Sequence, residues 1–359
     1  MNRLILIGNG FDLAHGLETS FKDFILSYLC DCVKSFENSA SYNDGLIEFK
    51  VKFSSILFRS SHGVKVESVL SIIDFLIKAE EYNVVFKSSF LERIYHKIND
   101  LSWVDLELEF FETLIENRND KYNWQDSVKS INNDLDFLKV KLIEYLKKAC
   151  KGNSIQPSFE LAQCFTSNIQ ANEVRAVSLK QDILPENLYF LNFNYTDTLS
   201  HYLRPLSIPF KVNYIHGDLN EEYAKPIFGF GDELDKDYLE FEDHKNNELF
   251  KHIKSFQYLL STNYFDLTRF IESEDFQVHI YGHSCGLSDR TMLNQIFEHA
   301  NCKSIKIYFH EIDSNINDFV EKTYDIARHF KDKVMFRKKL VPLPLSKPMP
   351  QPKLSHNPI

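Results

Sequence analysis

The sequence predicts an α/β fold: a Rossmann-like, mostly parallel sheet with a large helical insertion after its first βα unit. Three observations carry this. A continuous apolar run, Leu4–Ile7, ends in a glycine turn. From residue 187 onward, short apolar runs alternate with helical patterns. Between these two regions the chain is written mostly in helical periodicity and holds little glycine.

Leu4–Ile7 reads as a buried strand. Ser20 and Asp23 have capping-box spacing ahead of Phe21, Phe24, Ile25 and Tyr28, so a helix starts there. Val64–Glu81, Val84–Ile98, Val104–Asn117 and Gln125–Lys148 read as helices, and residues 36–63 and 151–180 as loops. After Pro185, strands are expected at Leu188–Phe193, Lys211–Ile215, Ile227–Phe230, Gln277–Tyr281, Ser304–Phe309 and Lys333–Phe336. Helical patterns cover Asn247–Leu260 and Arg290–Ala300. The expected organisation is a discontinuous nucleotide-binding domain (1–33 and 185–336), a helical insertion (34–184) and a Pro-rich basic tail (337–359), extended and loosely packed.

A formal charge of −10 argues against a general nucleic-acid-binding surface. No apolar run reaches the ~18–20 residues that span a bilayer, so no membrane partner is expected. Asp12 and His15 interrupt any leader-like segment. The six cysteines are scattered, which fits reduced thiols in the cytoplasm. H-E-x-x-H and paired C-x-x-C motifs are absent, so neither a metal nor a prosthetic group is expected.

Of 11 glycines, eight lie at 8, 10, 16, 217, 229, 231, 282 and 286, most of them just after a predicted strand. In open α/β sheets the crevice beyond the strand carboxyl ends takes the ligand, and glycine lets backbone approach it closely. Gly8-Asn9-Gly10-Phe11-Asp12 is half of a dinucleotide fingerprint, expected to hold a diphosphate. Asn194, Tyr195 and Asp197 leave the strand at 188–193. His216-Gly217 ends another strand, where His is suited to general-base work. Gly229, Gly231 and Asp232 follow a third, and Gly282, His283, Ser284 and Asp289 a fourth. Gly282–Gly286 also fits G-x-S-x-G with Ser284 as nucleophile. No acid and then His follow it at glycine-bearing strand ends, so acyl hydrolysis is disfavoured.

In this order, the pieces resemble the AbiH family, phage abortive-infection proteins of bacteria. They are Ile7–Leu17, Trp103–Glu107, Asn192–Leu199, His216-Gly217, Phe228–Asp232 and Gly282–Asp289, together running from residue 5 to about 297. More distantly, Gly8-Asn9-Gly10, Phe193-Asn194-Tyr195, His216-Gly217 and Gly282-His283-Ser284 resemble sirtuins and the sirtuin-like NAD hydrolases of antiphage defence. Asp197 lies one residue further from Asn194 than in that pattern, and Asp12 stands where sirtuins carry a small hydroxyl. Zinc-ribbon cysteines are absent, which disfavours a deacetylase. The resemblance implies an antiphage protein with a sirtuin-like sheet and NAD as substrate. Asn194 and His216 would be catalytic. Gly8, Asn9, Gly10, Phe11, Asp12, Tyr195, Asp197, Gly217, Gly229, Gly231, Asp232, Gly282, His283, Ser284 and Asp289 would bind the nucleotide. A phage-derived activator and self-association are the further partners it implies. The alternative is a nucleotide-binding sensor without turnover. Trp103-Val104-Asp105-Leu106-Glu107 reads either as a packed acidic helix or as a lid offering Asp105 or Glu107 to the ribose.

Overall fold

The computed structural model describes residues 1–352 except 54–56, 62, 100–101, 119–123, 153–154, 176–178, 221–224, 245 and 314–315. Residues 353–359 of the basic tail therefore lie outside the described residues. The chain clusters into two units. One holds Met1–Glu18, Ala149–Lys245 and His252 onward; the other holds Thr19–Lys148 and Asn246–Lys251.

The first unit is built on a six-stranded sheet. Numbered along the chain within it, the strands are β1 (Asn2–Ile7), β2 (Leu188–Asn192), β3 (Phe210–Tyr214), β4 (Phe276–Tyr281), β5 (Cys302–Phe309) and β6 (Lys347–Pro348). They lie in the order β3-β2-β1-β4-β5-β6, and every pair is parallel. This is the doubly wound order, in which the chain departs from β1 to both sides. The gap between the carboxyl ends of β1 and β4 is the switch point.

Both faces of the sheet are covered, which is why Leu4–Ile7 of β1 reads as an unbroken apolar run. Leu4 and Leu6 enter one core with Leu191, Val278, Ile280, Ile305 and Ile307. Helices Asn263–Ser273, Arg290–Glu298 and Phe319–Arg328 close that side. Ile5 and Ile7 enter the other core with Phe165, Phe190 and Tyr202. Arg3 is wholly buried and donates from Nη1 to the Phe165 carbonyl at 2.8 Å and from Nη2 to Gln277 Oε1 at 3.3 Å.

In the second unit, helix Phe21–Ser39 starts at a capping box: Ser20 Oγ accepts from the Asp23 N–H at 3.1 Å, and the Asp23 carboxylate accepts from the Ser20 N–H at 3.2 Å. A three-stranded antiparallel sheet, Ser41–Asn43, Ile47–Val51 and Tyr82–Phe86, stands where loop and helix were expected. The alternation of Tyr82, Val84 and Phe86 is that of a strand, and the helical period begins only at Ser89–Lys97. Helices Trp103–Arg118 and Trp124–Cys150 follow. The units divide at 18/19 and 148/149. Phe36 stacks on Phe49 in the second unit, whereas Phe165 meets Phe190 edge-on beneath the main sheet.

Three other expectations need correction. Ile227–Phe230 is not a strand; Phe230 makes a single bridge to Ile253. Asn247–Leu260 is a succession of short turns because that bridge interrupts it. Lys333–Phe336 lies in the helix Lys333–Lys339, and the described part of the tail beyond it is packed as far as Met349 rather than loose. The Val341 N–H donates to the Ile305 carbonyl at 2.9 Å and the Met349 N–H to the Phe309 carbonyl at 2.7 Å. The tail thereby covers the outer edge of β5, which would otherwise be an open edge. Among the described residues, no helix is long and apolar enough to cross a membrane.

Candidate functional site

At the switch point the turns after β1 and β4 are pressed backbone to backbone. A Cβ on Gly8 would stand 2.5 Å from His283 Cα, one on Gly10 2.8 Å from Gly282 Cα, and one on Gly282 2.2 Å from the Phe11 nitrogen. The Gly8 N–H donates to the Tyr281 carbonyl (3.0 Å), the Gly10 N–H to the Gly282 carbonyl (2.8 Å) and the Phe11 N–H to the Gly8 carbonyl (2.9 Å). These N–H groups are thus spent within the protein, and the helix Asn9–Ala14 behind them has only six residues. The glycines permit this close packing. Asn194 belongs to the same junction: its Nδ2 donates to the Gly8 carbonyl at 3.0 Å.

The packing of those turns sets His283 beside the end of β3. His283 Nδ1 accepts from the Cys285 N–H at 3.0 Å, so its proton resides on Nε2, 3.9 Å from Asp289 Oδ2. His216 Nε2 lies 3.2 Å from Asp289 Oδ1 and 3.0 Å from the Tyr258 hydroxyl. Lys254 Nζ donates to the same Asp289 oxygen at 2.9 Å. Phe193 bridges the two imidazoles, with ring centroids 5.3 Å from His216 and 4.0 Å from His283. The whole cluster is buried. Burial alone would raise the Asp289 carboxyl; Lys254 and then His216 outweigh it and hold it well below the usual carboxylate range. Burial pushes His283 down to about 3 against the pull of Asp289, so it is neutral at physiological pH. The arrangement is a buried carboxylate shared by one lysine and one histidine. It orients an imidazole that can take up a proton.

Lys254 and Tyr258 were not singled out from the sequence. Lys254 arrives because the Lys254 N–H donates to the Phe230 carbonyl at 2.8 Å and the Phe230 N–H to the His252 carbonyl at 3.0 Å. Gly229 and Gly231 permit this approach. A Cβ on Gly229 would stand 1.9 Å from the His252 carbonyl oxygen, and one on Gly231 3.3 Å from Lys254 Cβ and 2.7 Å from the Ser288 carbonyl oxygen.

The remaining predicted residues fall elsewhere. Asp232 is satisfied by Arg290 Nη1 at 3.0 Å and the Leu234 N–H at 2.9 Å. The Tyr195 hydroxyl donates to the Ile227 carbonyl at 2.6 Å and braces the loop after His216. Gly217 has φ +78° and forms the turn itself. Asp197 and Ser284 are exposed. In the G-x-S-x-G stretch, positive φ falls on Gly282 and Cys285, not on Ser284, so this is not a nucleophile elbow. Trp103 stacks on Phe24 and donates to the Thr19 carbonyl at 3.0 Å, while Asp105 accepts from the Ser102 N–H at 2.7 Å. These are the contacts of a helix start packed within the second unit. A groove of about 410 Å³ lies at the opposite, amino ends of the strands, beside Asn2, Tyr189, Lys211 and Arg269. Among the described residues, no group of three or more His, Cys, Asp or Glu side chains is arranged to hold a metal ion.

Asp12 forms a second polar centre. It is buried and accepts from Thr196 Oγ1 at 2.6 Å, and its Oδ1 has no hydrogen-bond partner among the described residues. Burial raises its pKa to about 6, opposed by the Thr196 hydrogen bond. The unfolded carboxyl titrates near ~3.9. Between these values the folded state holds more protons, so stability falls as pH rises through the window. Asp12→Asn removes this dependence. Thermal denaturation should show the variant gaining on the native chain from pH 4 to pH 7, by about 3 kcal/mol at the upper end. An unchanged difference across that range contradicts the assignment.

A family model described as bacteriophage abortive infection AbiH matches residues 4–311. No curated protein and no solved structure matches the chain.

Proposed function

The chain belongs to the AbiH family of bacteriophage abortive infection proteins, and from that premise we propose that it acts by hydrolysing the nicotinamide–ribose bond of NAD. The observation that carries the proposal is the His216–Asp289–Lys254 constellation at the carboxyl edge of a doubly wound sheet, where such folds take nucleotides. Nicotinamide departs as a neutral base, so its departure needs no general acid. Water adds to the ribose carbon as the bond to nicotinamide breaks, and one proton is released. With His216 Nε2–H directed at Asp289, the lone pair that receives this proton is on Nδ1. Ionised Asp289 stabilises the imidazolium that forms, and Lys254 keeps Asp289 ionised. A phage-derived activator would switch the site on.

The test is nicotinamide release by the purified chain. His216→Ala is expected to lower the rate by about 10²–10⁴-fold, the usual weight of a general base. Equal rates for the two proteins refute the role.

One observation favours a second reading, a nucleotide sensor without turnover. Asn194, expected to orient ribose or water, spends its amide on the Gly8 carbonyl. Tight NAD binding with no nicotinamide release, unaltered by His216→Ala, selects that reading.

A further inference from the structure

Among the described residues, the strand Tyr82–Phe86 of the second unit pairs on one side only, with Ile47–Val51. The Glu81 carbonyl accepts from the Lys52 N–H and the Lys87 N–H donates to the Leu46 carbonyl, each at 2.8 Å. In an antiparallel strand both backbone groups of one residue point the same way. The odd-numbered residues therefore face the neighbouring strand. Val84 and Phe86 turn N–H and C=O to the open side, as does the Tyr82 C=O. The strand's own residues do not blunt this edge: Tyr-Asn-Val-Val-Phe holds neither proline nor charge. Apolar surface borders it, with Phe75 55%, Ile77 47% and Val85 38% exposed. Phe75 lies 6.4 Å from the Tyr82 ring.

The flanking charges name the occupant. Glu81 precedes the strand and Lys87 follows it. The Lys87 side chain is 36% exposed, its Nζ 3.5 Å from Glu48 Oε2 and donating to Asn43 Oδ1 at 3.0 Å, contacts it would share with a second carboxylate. Antiparallel self-pairing about Val84 sets Glu81 of each copy opposite Lys87 of the other, and Tyr82 opposite Phe86. That register also matches faces: Glu81 and Lys87 share one side of the strand, Tyr82 and Phe86 the other. It makes Val84 a hydrogen-bonded pair with its own copy, as its outward N–H and C=O require. We propose that this edge is a self-association surface, on which a second copy of the chain pairs about a two-fold axis through Val84 and joins two three-stranded sheets into one of six strands.

Sedimentation equilibrium of the full chain tests this. The native chain is expected to dimerise. Val84→Pro, whose missing N–H lies on the open side, should be monomeric. Glu81→Lys sets like charges opposite each other twice and should weaken the dimer roughly tenfold or more. Lys87→Glu should do the same. An equimolar mixture of the two charge variants should restore a dimer with one copy of each, which shows in addition that both variants fold. A monomeric native chain, an undiminished Glu81→Lys dimer, or a mixture that stays monomeric overturns the proposal. None of these outcomes bears on the chemistry at His216.

Discussion

Gly282→Ala is expected to destabilise the chain by about 3–5 kcal/mol, a large part of the ~5–15 kcal/mol that holds a typical domain folded. Two costs add. Gly282 has φ +64°, where a side chain is strained by about 1–2 kcal/mol. The new Cβ would also stand 2.2 Å from the Phe11 nitrogen and 2.5 Å from the Gly10 carbonyl carbon. Both are backbone atoms held by the 2.8 Å bond from the Gly10 N–H to the Gly282 carbonyl, so they cannot swing aside as a flexible side chain would. Relief requires parting the turns after β1 and β4, which moves His283 as well. Gly45→Ala is the control. It has φ +97° but nothing within 4 Å, so it carries the conformational cost without the collision. Denaturant midpoints of the two variants separate these costs. A Gly282→Ala chain no less stable than Gly45→Ala contradicts the packing account.

Asp289→Asn is expected to cost about 3–5 kcal/mol, because it strands a buried ammonium. Lys254 is 1% exposed and its charge is answered by Asp289 at 2.9 Å. An amide has no charge to offer. If this is the cause, adding Lys254→Met should recover part of the loss, since a buried charge without a counter-ion costs more than an apolar chain of similar length. A double variant as unstable as the single would show that Asp289 acts through some other contact. The pH dependence has a definite sign. Asp289 is held well below the usual range in the folded state. Its contribution is complete above the unfolded value near ~3.9 and is lost as pH falls below it.

Much of this fold was legible in the sequence because a parallel sheet buried on both faces leaves apolar runs that no other element explains. Leu4–Ile7 is such a run, and it became one of the two strands at the switch point; the other, around Gln277–Tyr281, alternates polar Gln277 and His279 with Val278, Ile280 and Tyr281. The Ser20–Asp23 capping box was legible for the same local reason. Tyr82–Phe86 was misread because a five-residue strand directly ahead of a helix carries too few turns of either period to separate them. The tail misled through its prolines and charges, since its role is to cover the edge of β5 and that edge exists only in three dimensions.

In the candidate site, the places of His216, His283 and Asp289 after strands were legible in the sequence, and the structure brings these three side chains together. Lys254 was not, because nothing local distinguishes it from a surface lysine; its burial depends on the bridge between Phe230 and Ile253. The glycines stand where backbone meets backbone at the switch point. Glycine spacing records where backbone comes close to something, and here that something is largely another turn of the same protein.

In the proposed function, His216, oriented by Asp289, makes NAD the target of this protein in an infected cell. The most direct measurement is the NAD and nicotinamide content of phage-infected bacteria carrying either the native chain or His216→Ala. NAD is expected to fall and nicotinamide to rise with the native chain, and both to stay at uninfected levels with the variant, which also loses protection. Protection by the native chain with NAD unchanged, or equal NAD loss in the two strains, would contradict it.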